Sequence, residues 1–250
     1  QLASDPIDPS LRASTLAGAD TLARKFNIAA SSLDAVGAGL RFDADAAVGQ
    51  ANTVTGELAR VNLRLSRAGE GSSDRASWLD QRDSLLERLS GIADVATSFA
   101  ADGSVTVTTG GAAGQTLVSG GNSASLSMAT AADGTVSFAV GGNAVSLAGG
   151  SLAGASLALA RAADVRSRLD DLADSIAATA NAAQASGVAF DGTAGQPLYA
   201  GSGAGGMKVA LADGAGLATA PAGAPAGSLD GANLSALRQV YGKSVFTRHP

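Results

Sequence analysis

Cysteine is absent from this chain of 250 residues, and histidine occurs once, at His249. The first absence excludes disulfides and thiolate metal sites. The second leaves any Ser/His/Asp triad or imidazole metal site with one candidate, next to the last residue. His249 therefore reads as a terminal surface residue, not a catalytic one. Aromatic residues are scarce as well, at 4% against 46% hydrophobic residues in all. Alanine and glycine carry much of that hydrophobic and small-residue content, so the core packs through short side chains and offers few rings to line a ligand pocket or stack on a sugar. Cations are not in excess: the net charge is −5 and the pI about 4.8, so little is available to neutralise phosphates, which argues against a nucleic-acid partner. Arg, Asp or Gly interrupts each apolar run well short of the ~20 residues a membrane helix needs. The acids and prolines of residues 1–10 are unlike a secretory leader.

Helical periodicity is what the first part of the chain has in abundance. Ala19, Leu22, Phe26, Ala29, Leu33, Val36 and Leu40 are spaced three and four apart, as are Ala47, Ala51, Val54, Leu58, Val61, Leu65 and Ala68. Each series predicts an apolar seam of the kind that packs in a helix bundle. Gly37 and Gly39 between them predict a kink or short break. Asp8-Pro9-Ser10 supplies a start signal, and Gly69 to Ser73 a stop followed by a new cap. A third helix is predicted from Asp74 to about Ser90, with Trp78, Leu79, Leu85, Leu86 and Leu89 toward the core. Near Gly154 helix resumes, with Ala158, Ala162, Val165, Leu169, Leu172, Ile176, Thr179 and Ala183 in the same spacing up to Gly187. Another helix is predicted to begin over Asp230–Val240.

Between these helices the pattern is β. Val95–Phe99, Ser104–Thr109, Gln115–Ser119, Ala124–Met128, Thr135–Val140 and Ala144–Leu147 read as short strands. Asp102-Gly103 and Asp133-Gly134 are hairpin signals, because glycine tolerates the positive φ of tight turns. The strings Ala101–Val105 and Ala132–Val136 echo one another, as do Gly120-Gly121-Asn122 and Gly141-Gly142-Asn143. Residues 188–228 read as loop and short strand.

No constellation of reactive groups stands out. Asp43 with Asp45, and Asp80 with Asp83 and Glu87, are the nearest approach to paired carboxylates, but arginines are interleaved and a solvated helix face is the simpler reading. Gly201–Gly206 lacks the following Lys-Ser/Thr of a phosphate loop and is predicted to lead into a strand at Met207-Lys208-Val209. Arg60, Arg64 and Arg67 share one helical stripe; a solvated face is the simpler reading, and as candidate subunit-contact residues they would meet an acidic patch on a neighbouring copy. Leu58, Val61 and Leu65, and Val165, Leu169, Leu172 and Ile176, are assigned to the core first. No cofactor or metal is predicted.

Local strings then carry a family resemblance. Trp78-Leu79-Asp80-Gln81-Arg82-Asp83-Ser84-Leu85-Leu86-Glu87-Arg88-Leu89-Ser90 looks like the LLDQRDxLLxxLS block of flagellar hook-associated proteins of the FlgK type. The strings 103–107, 117–118, 149–154 and 190–199, and Leu2–Pro6 with Arg12 and Phe26-Asn27, are similar to further stretches of that family. The resemblance implies an α+β fold: a long-helix bundle, the flagellin-like rod domain, with an inserted antiparallel β-rich domain. The corresponding partition is a helical rod of 1–93 with 150–187 and 229–250, and a β-rich outer domain of 94–149 with 188–228. It implies an internal piece lacking the family's terminal segments. The implied role is structural and not enzymatic, an adaptor ring joining hook to filament outside the cell after flagellar export. Neighbouring copies, the hook protein and the second junction protein would be partners, with no nucleic acid and no membrane. A second junction protein or a flagellin is the alternative within this class, and a secreted adhesin or glycan-binding module the alternative outside it.

Overall fold

The computed structural model describes residues 2–111 and 114–234. His249 and most of the helix predicted over Asp230–Val240 lie outside the described residues, of which 232–234 are helical. Helix α1 (Pro9–Leu65) starts where the local signals place it. The Asp8 carboxylate accepts the Leu11 N–H at 2.8 Å, and Pro9 takes the first helical position, where no N–H is needed. The helix then runs for 57 residues, without the break predicted at Gly37 and Gly39. Each glycine costs about 1 kcal/mol relative to alanine, which the buried faces on either side outweigh: Phe26 and Ala30 before, Ala44 and Val48 after. Helix α2 (Ser73–Ile92) is capped by Ser72, whose hydroxyl accepts the Arg75 N–H.

The chain divides into two compact units, Ala35–Asp164 and Gln1–Asp34 with Val165–Pro250. This division cuts across the predicted partition into rod and outer domain. The β segments of 94–149 and of 188–228 fall in different units, and each unit combines helix with strand.

In the unit Ala35–Asp164, α1 and α2 form an antiparallel hairpin. The Arg64 guanidinium lies 4.3 Å over the Trp78 ring, and Arg88 is 3.9 Å from Glu57, so numbers fall on one helix as they rise on the other. Strands β1 (Val95–Phe99), β2 (Val105–Thr109), β3 (Gln115–Ser119) and β4 (Asn122–Ser123) follow as an antiparallel meander. Strands β5 (Leu126–Thr130), β6 (Val136–Val140) and β7 (Asn143–Val145) make a second, three-stranded sheet. Helix α3 (Gly150–Ala185) begins four residues before the predicted point. Gly150 has φ +80°, and a Cβ there would meet the Ile92 backbone at 2.4 Å, so glycine is required. The core joins Val54, Leu58, Val61 and Leu65 of α1 to Leu85, Leu89 and Ile92 of α2, Val105, Val107, Leu117, Leu126, Phe138 and Val140 of the sheets, and Leu152 of α3. Burying each such side chain stabilises the fold by roughly 1.5–3 kcal/mol.

Apolar packing does not set the register of strand on helix; two asparagines of α1 do. The Asn62 carboxamide, 1% exposed, donates to the Val105 carbonyl at 2.8 Å and the Gly120 carbonyl at 2.9 Å, and accepts the Val105 N–H at 2.9 Å. Asn52 treats Leu126 alike, donating to its carbonyl and accepting its N–H, both at 2.8 Å. Val105 and Leu126 are the first residues of β2 and β5. A carboxamide carries one acceptor and two donor hydrogens, so it completes a strand residue as a neighbouring strand would.

In the other unit the core is smaller in grain: Ala23, Phe26 and Ala30 of α1, Ala173 and Ala180 of α3, and Tyr199, Ala204 and Met207. The last three come from strand β9 (Tyr199–Ala200) and the single-turn helix α4 (Gly203–Gly206) with its C-cap; strands β8 (Gly187–Val188), β10 (Lys208–Val209) and β11 (Ala220–Pro221) complete the pairs β9–β10 and β8–β11. Carboxamides recur here. Asn181 of α3 holds both the N–H and the carbonyl of Tyr199 at 2.9 Å, and Asn27 of α1 donates to the carbonyls of Ala204 and Met207. These bonds place residues 199–207 on the helices of this unit. Some predicted seam residues stand at the surface instead: Val165 and Leu172 of α3 are 49% and 53% exposed, and Val36 of α1, in the unit Ala35–Asp164, is 58% exposed. Leu169 and Ile176 of the same α3 seam do pack against the core.

Three hairpin turns share one construction. Asp102, Asp133 and Asp191 each precede a glycine at positive φ. Each carboxylate accepts both the N–H and the hydroxyl of the residue two further on: Ser104, Thr135 and Thr193. The hydroxyl bond, and after it the N–H bond, holds each carboxyl below the ordinary aspartate range. The third lies in the string 190–199 that resembles the family, not among the Asp-Gly hairpin signals.

Two predictions follow from these contacts. Replacing Asn62 with Ala leaves the buried N–H and carbonyl of Val105 unpaired, and at roughly 1–3 kcal/mol for such a loss the urea midpoint of the unit should fall clearly; an unchanged midpoint would refute the role given to Asn62. For the turns, each carboxyl is more acidic folded than unfolded. Their contribution is therefore complete above the unfolded value of about 3.9 and lost as pH falls through and below it. Replacing Asp102, Asp133 and Asp191 together by Asn should flatten the acid limb of a stability–pH curve, and parallel limbs for the two proteins would contradict it.

Candidate subunit-contact face

Arg60, Arg64 and Arg67 stand in the last two turns of α1 and the turn after it, all exposed, while Leu58, Val61 and Leu65 of the same stretch are buried. Spacing of four and three places the guanidinium groups on one stripe. The structure brings Arg64 against Trp78, the only tryptophan of the chain. Arg64 and Arg67 also line an open crevice at the α1–α2 turn with Gly69, Ser72 and Asp74. The side chains of Arg60 and Arg67 make no ion pair among the described residues. Arginine on a tryptophan face keeps its donors free at the edges, so the stack orients Arg64 without neutralising it.

Of the carboxylates considered, Asp83 holds Arg82, with 2.7 Å between Oδ1 and Nη2. Asp80 and Glu87 are exposed on the same helix, and Asp43 and Asp45 are exposed on α1. Among the described residues no group of three or more potential ligands could hold a metal ion. The stretch Gly201–Gly206 contains α4 and is followed by β10, as the pattern beyond Met207 predicts. Asp174 accepts the Gly203 N–H and Asp170 the Ala204 N–H, both at 2.7 Å, so carboxylates stand where a phosphate would have to bind.

Two arginines matter more than their sequence context suggested. Arg12 is 3% exposed and is solvated wholly by neutral acceptors: the carbonyls of Pro6, Gly214, Ala215 and Leu217 and the Thr219 hydroxyl. Burial lowers its pKa from the ordinary guanidinium value. Arg82 donates to the Gly103 carbonyl at 2.6 Å and lies 4.6 Å over Phe99, tying α2 to the first hairpin turn. Its place inside the 78–90 block was the one available signal.

Comparison with known proteins bears on these features. The family profile described as flagellar hook-associated protein FlgK helical domain matches residues 1–199. The structure of the flagellar hook junction protein FlgK from Burkholderia pseudomallei is similar, at 28% identity and a TM-score of 0.70. The match covers 80% of this chain and 38% of that protein, so the present chain spans well under half of its relative's length. None of the curated proteins matches by sequence. The α+β architecture of long helices with antiparallel sheets agrees with this likeness.

The sole tryptophan reports on the arginine face directly. Arg64→Ala should shift and brighten or quench Trp78 fluorescence and cost about 0.5–1 kcal/mol, the usual scale of an exposed cation–π pair. Arg67→Ala should leave the spectrum as it was. Identical spectra for Arg64→Ala and the parent would dispose of the stack.

Proposed function

The chain belongs to the flagellar hook-associated protein FlgK family, and from that premise we propose that it joins the flagellar hook to the filament as one subunit of an adaptor ring. The match of the family's helical domain over residues 1–199 carries this reading. In it the chain works outside the cell after export through the flagellar secretion system, in contact with neighbouring copies, the hook protein and the second junction protein. Its task is mechanical. Long helices give stiffness along their axes, and the exposed arginine row Arg60, Arg64 and Arg67 gives a lateral contact with an adjoining subunit. Nothing in this role needs a reactive group, a cofactor or a metal, and the family is structural, not enzymatic. The absence of any helix long and apolar enough to cross a membrane among the described residues is compatible with an axial position.

Deleting the gene should leave cells with hooks but no filaments and with flagellin in the medium, and restoring it should restore filaments. Normal filaments on the deletion strain, seen by electron microscopy, would overturn the proposal.

A further inference from the structure

The arginine row of α1 has a counterpart on α2. Asp80, Asp83 and Glu87 are all exposed, whereas Leu85, Leu89 and Ile92 of the same helix are buried. At 3.6 residues per turn the three carboxylates fall within a stripe about 60° wide, on the side of α2 away from Leu85 and Leu89. The arginines are spaced four then three, and the acids three then four. Set antiparallel, the two rows match at every position: Arg60 with Glu87, Arg64 with Asp83, Arg67 with Asp80. The acid row extends over about 10 Å of α2 at 1.5 Å per residue; Arg60 and Arg64 stand on α1, and Arg67 in the turn directly after it.

Within one chain the rows do not meet. Among the described residues Arg60 and Arg67 have no ion-pair partner, Arg64 is turned onto Trp78, and Asp83 is held by its neighbour Arg82. The two helices form an antiparallel hairpin through Arg64–Trp78 and Glu57–Arg88, with both rows on outward faces. Copies standing side by side in one orientation can therefore present α1 of one to α2 of the next, and those helices are then antiparallel, as the matched spacing requires.

We propose that the row Arg60, Arg64, Arg67 of one copy docks on the row Asp80, Asp83, Glu87 of a second copy. This inference rests on the ring reading above and names the surface that would receive the arginines. The contact joins two different faces of identical chains, so it repeats from copy to copy and closes where the rotation permits, as a ring requires. A two-fold dimer would leave no free row for a third subunit. Exposed ion pairs are individually weak and screened by salt, so the contact acts as an aligning device, strongest when copies are already held close together.

The lack of native cysteine allows a clean test on the whole chain. Arg60→Cys mixed with Glu87→Cys, and Arg67→Cys mixed with Asp80→Cys, should give mixed disulfides at low salt in excess over either homodimer, and high salt should remove the excess. The crossed mixture of Arg60→Cys with Asp80→Cys should show none. Equal yields from matched and crossed mixtures, or no excess in either matched mixture, would overturn the proposal. In cells, reversing either row alone (three Arg→Glu, or three acids→Arg) should lose filaments, and reversing both should restore them. Circular dichroism of the purified variants confirms that each is folded. If the deletion strain lacks filaments yet both single-row reversals support them, this docking is wrong and the junction role stands. If the deletion strain keeps its filaments, the junction role itself fails.

Discussion

The hydrogen bonding of helix-borne carboxamides to strand backbone is the constraint on which the fold depends. A strand laid against a helix leaves one edge of N–H and carbonyl groups without partners, and such groups are costly to bury unpaired. Asn62, Asn52 and Asn181 each meet that demand at a single strand residue, Val105, Leu126 and Tyr199. Because the carboxamide must match both groups of one residue, it sets register as well as affinity. Aliphatic packing in the same cores would tolerate a slide that these bonds do not. Among the described residues no buried side-chain nitrogen or oxygen is left without a partner.

Charged groups extend the same solution. Arg12 gathers carbonyls from 6, 214, 215 and 217 around one buried guanidinium, holding irregular backbone that has no strand to pair with. Arg82 does this for the first hairpin turn. The repeated Asp-Gly-Ser/Thr turns then close the hairpins by local bonds alone, which frees each sheet from needing a particular loop sequence elsewhere. A chain poor in aromatic anchors thus obtains specificity from polar bonds placed at a few positions, while alanine-rich helix contacts supply close approach.

Much of the architecture was legible from residue order. The spacing of Ala51, Val54, Leu58, Val61 and Leu65 announced a buried stripe, and the structure buries all of them. The strand segments around Asp102-Gly103 and Asp133-Gly134 were legible because period-two alternation and turn residues act locally. Val36, Val165 and Leu172 misled, for they are exposed, although Leu22, Phe26, Leu169 and Ile176 of the same stripes pack in the core. Of the kink or short break expected at Gly37 and Gly39, the break is absent, since a local glycine penalty is small beside the packing on both sides. Nothing in the composition of 188–228 separated it from 94–149, and the two were grouped together although they belong to different units. The candidate face was legible in part: three arginines at four-three spacing were visible, but their outward direction and the stack of Arg64 on Trp78 were not.

By itself the sequence determined the elements, meaning where helices start, which segments alternate as strands, and where Asp-Gly turns fold back, because these depend on groups a few residues apart. It also carried the 78–90 block that points to the family. Only the tertiary structure decided which strand lies on which helix, which long side chains are left in water, and that Asn52, Asn62, Asn181 and Arg12 are structural anchors. Those outcomes depend on bonds between residues as far apart as Arg12 and Leu217, and a polar side chain shows its partner only when the chain has brought that partner within reach.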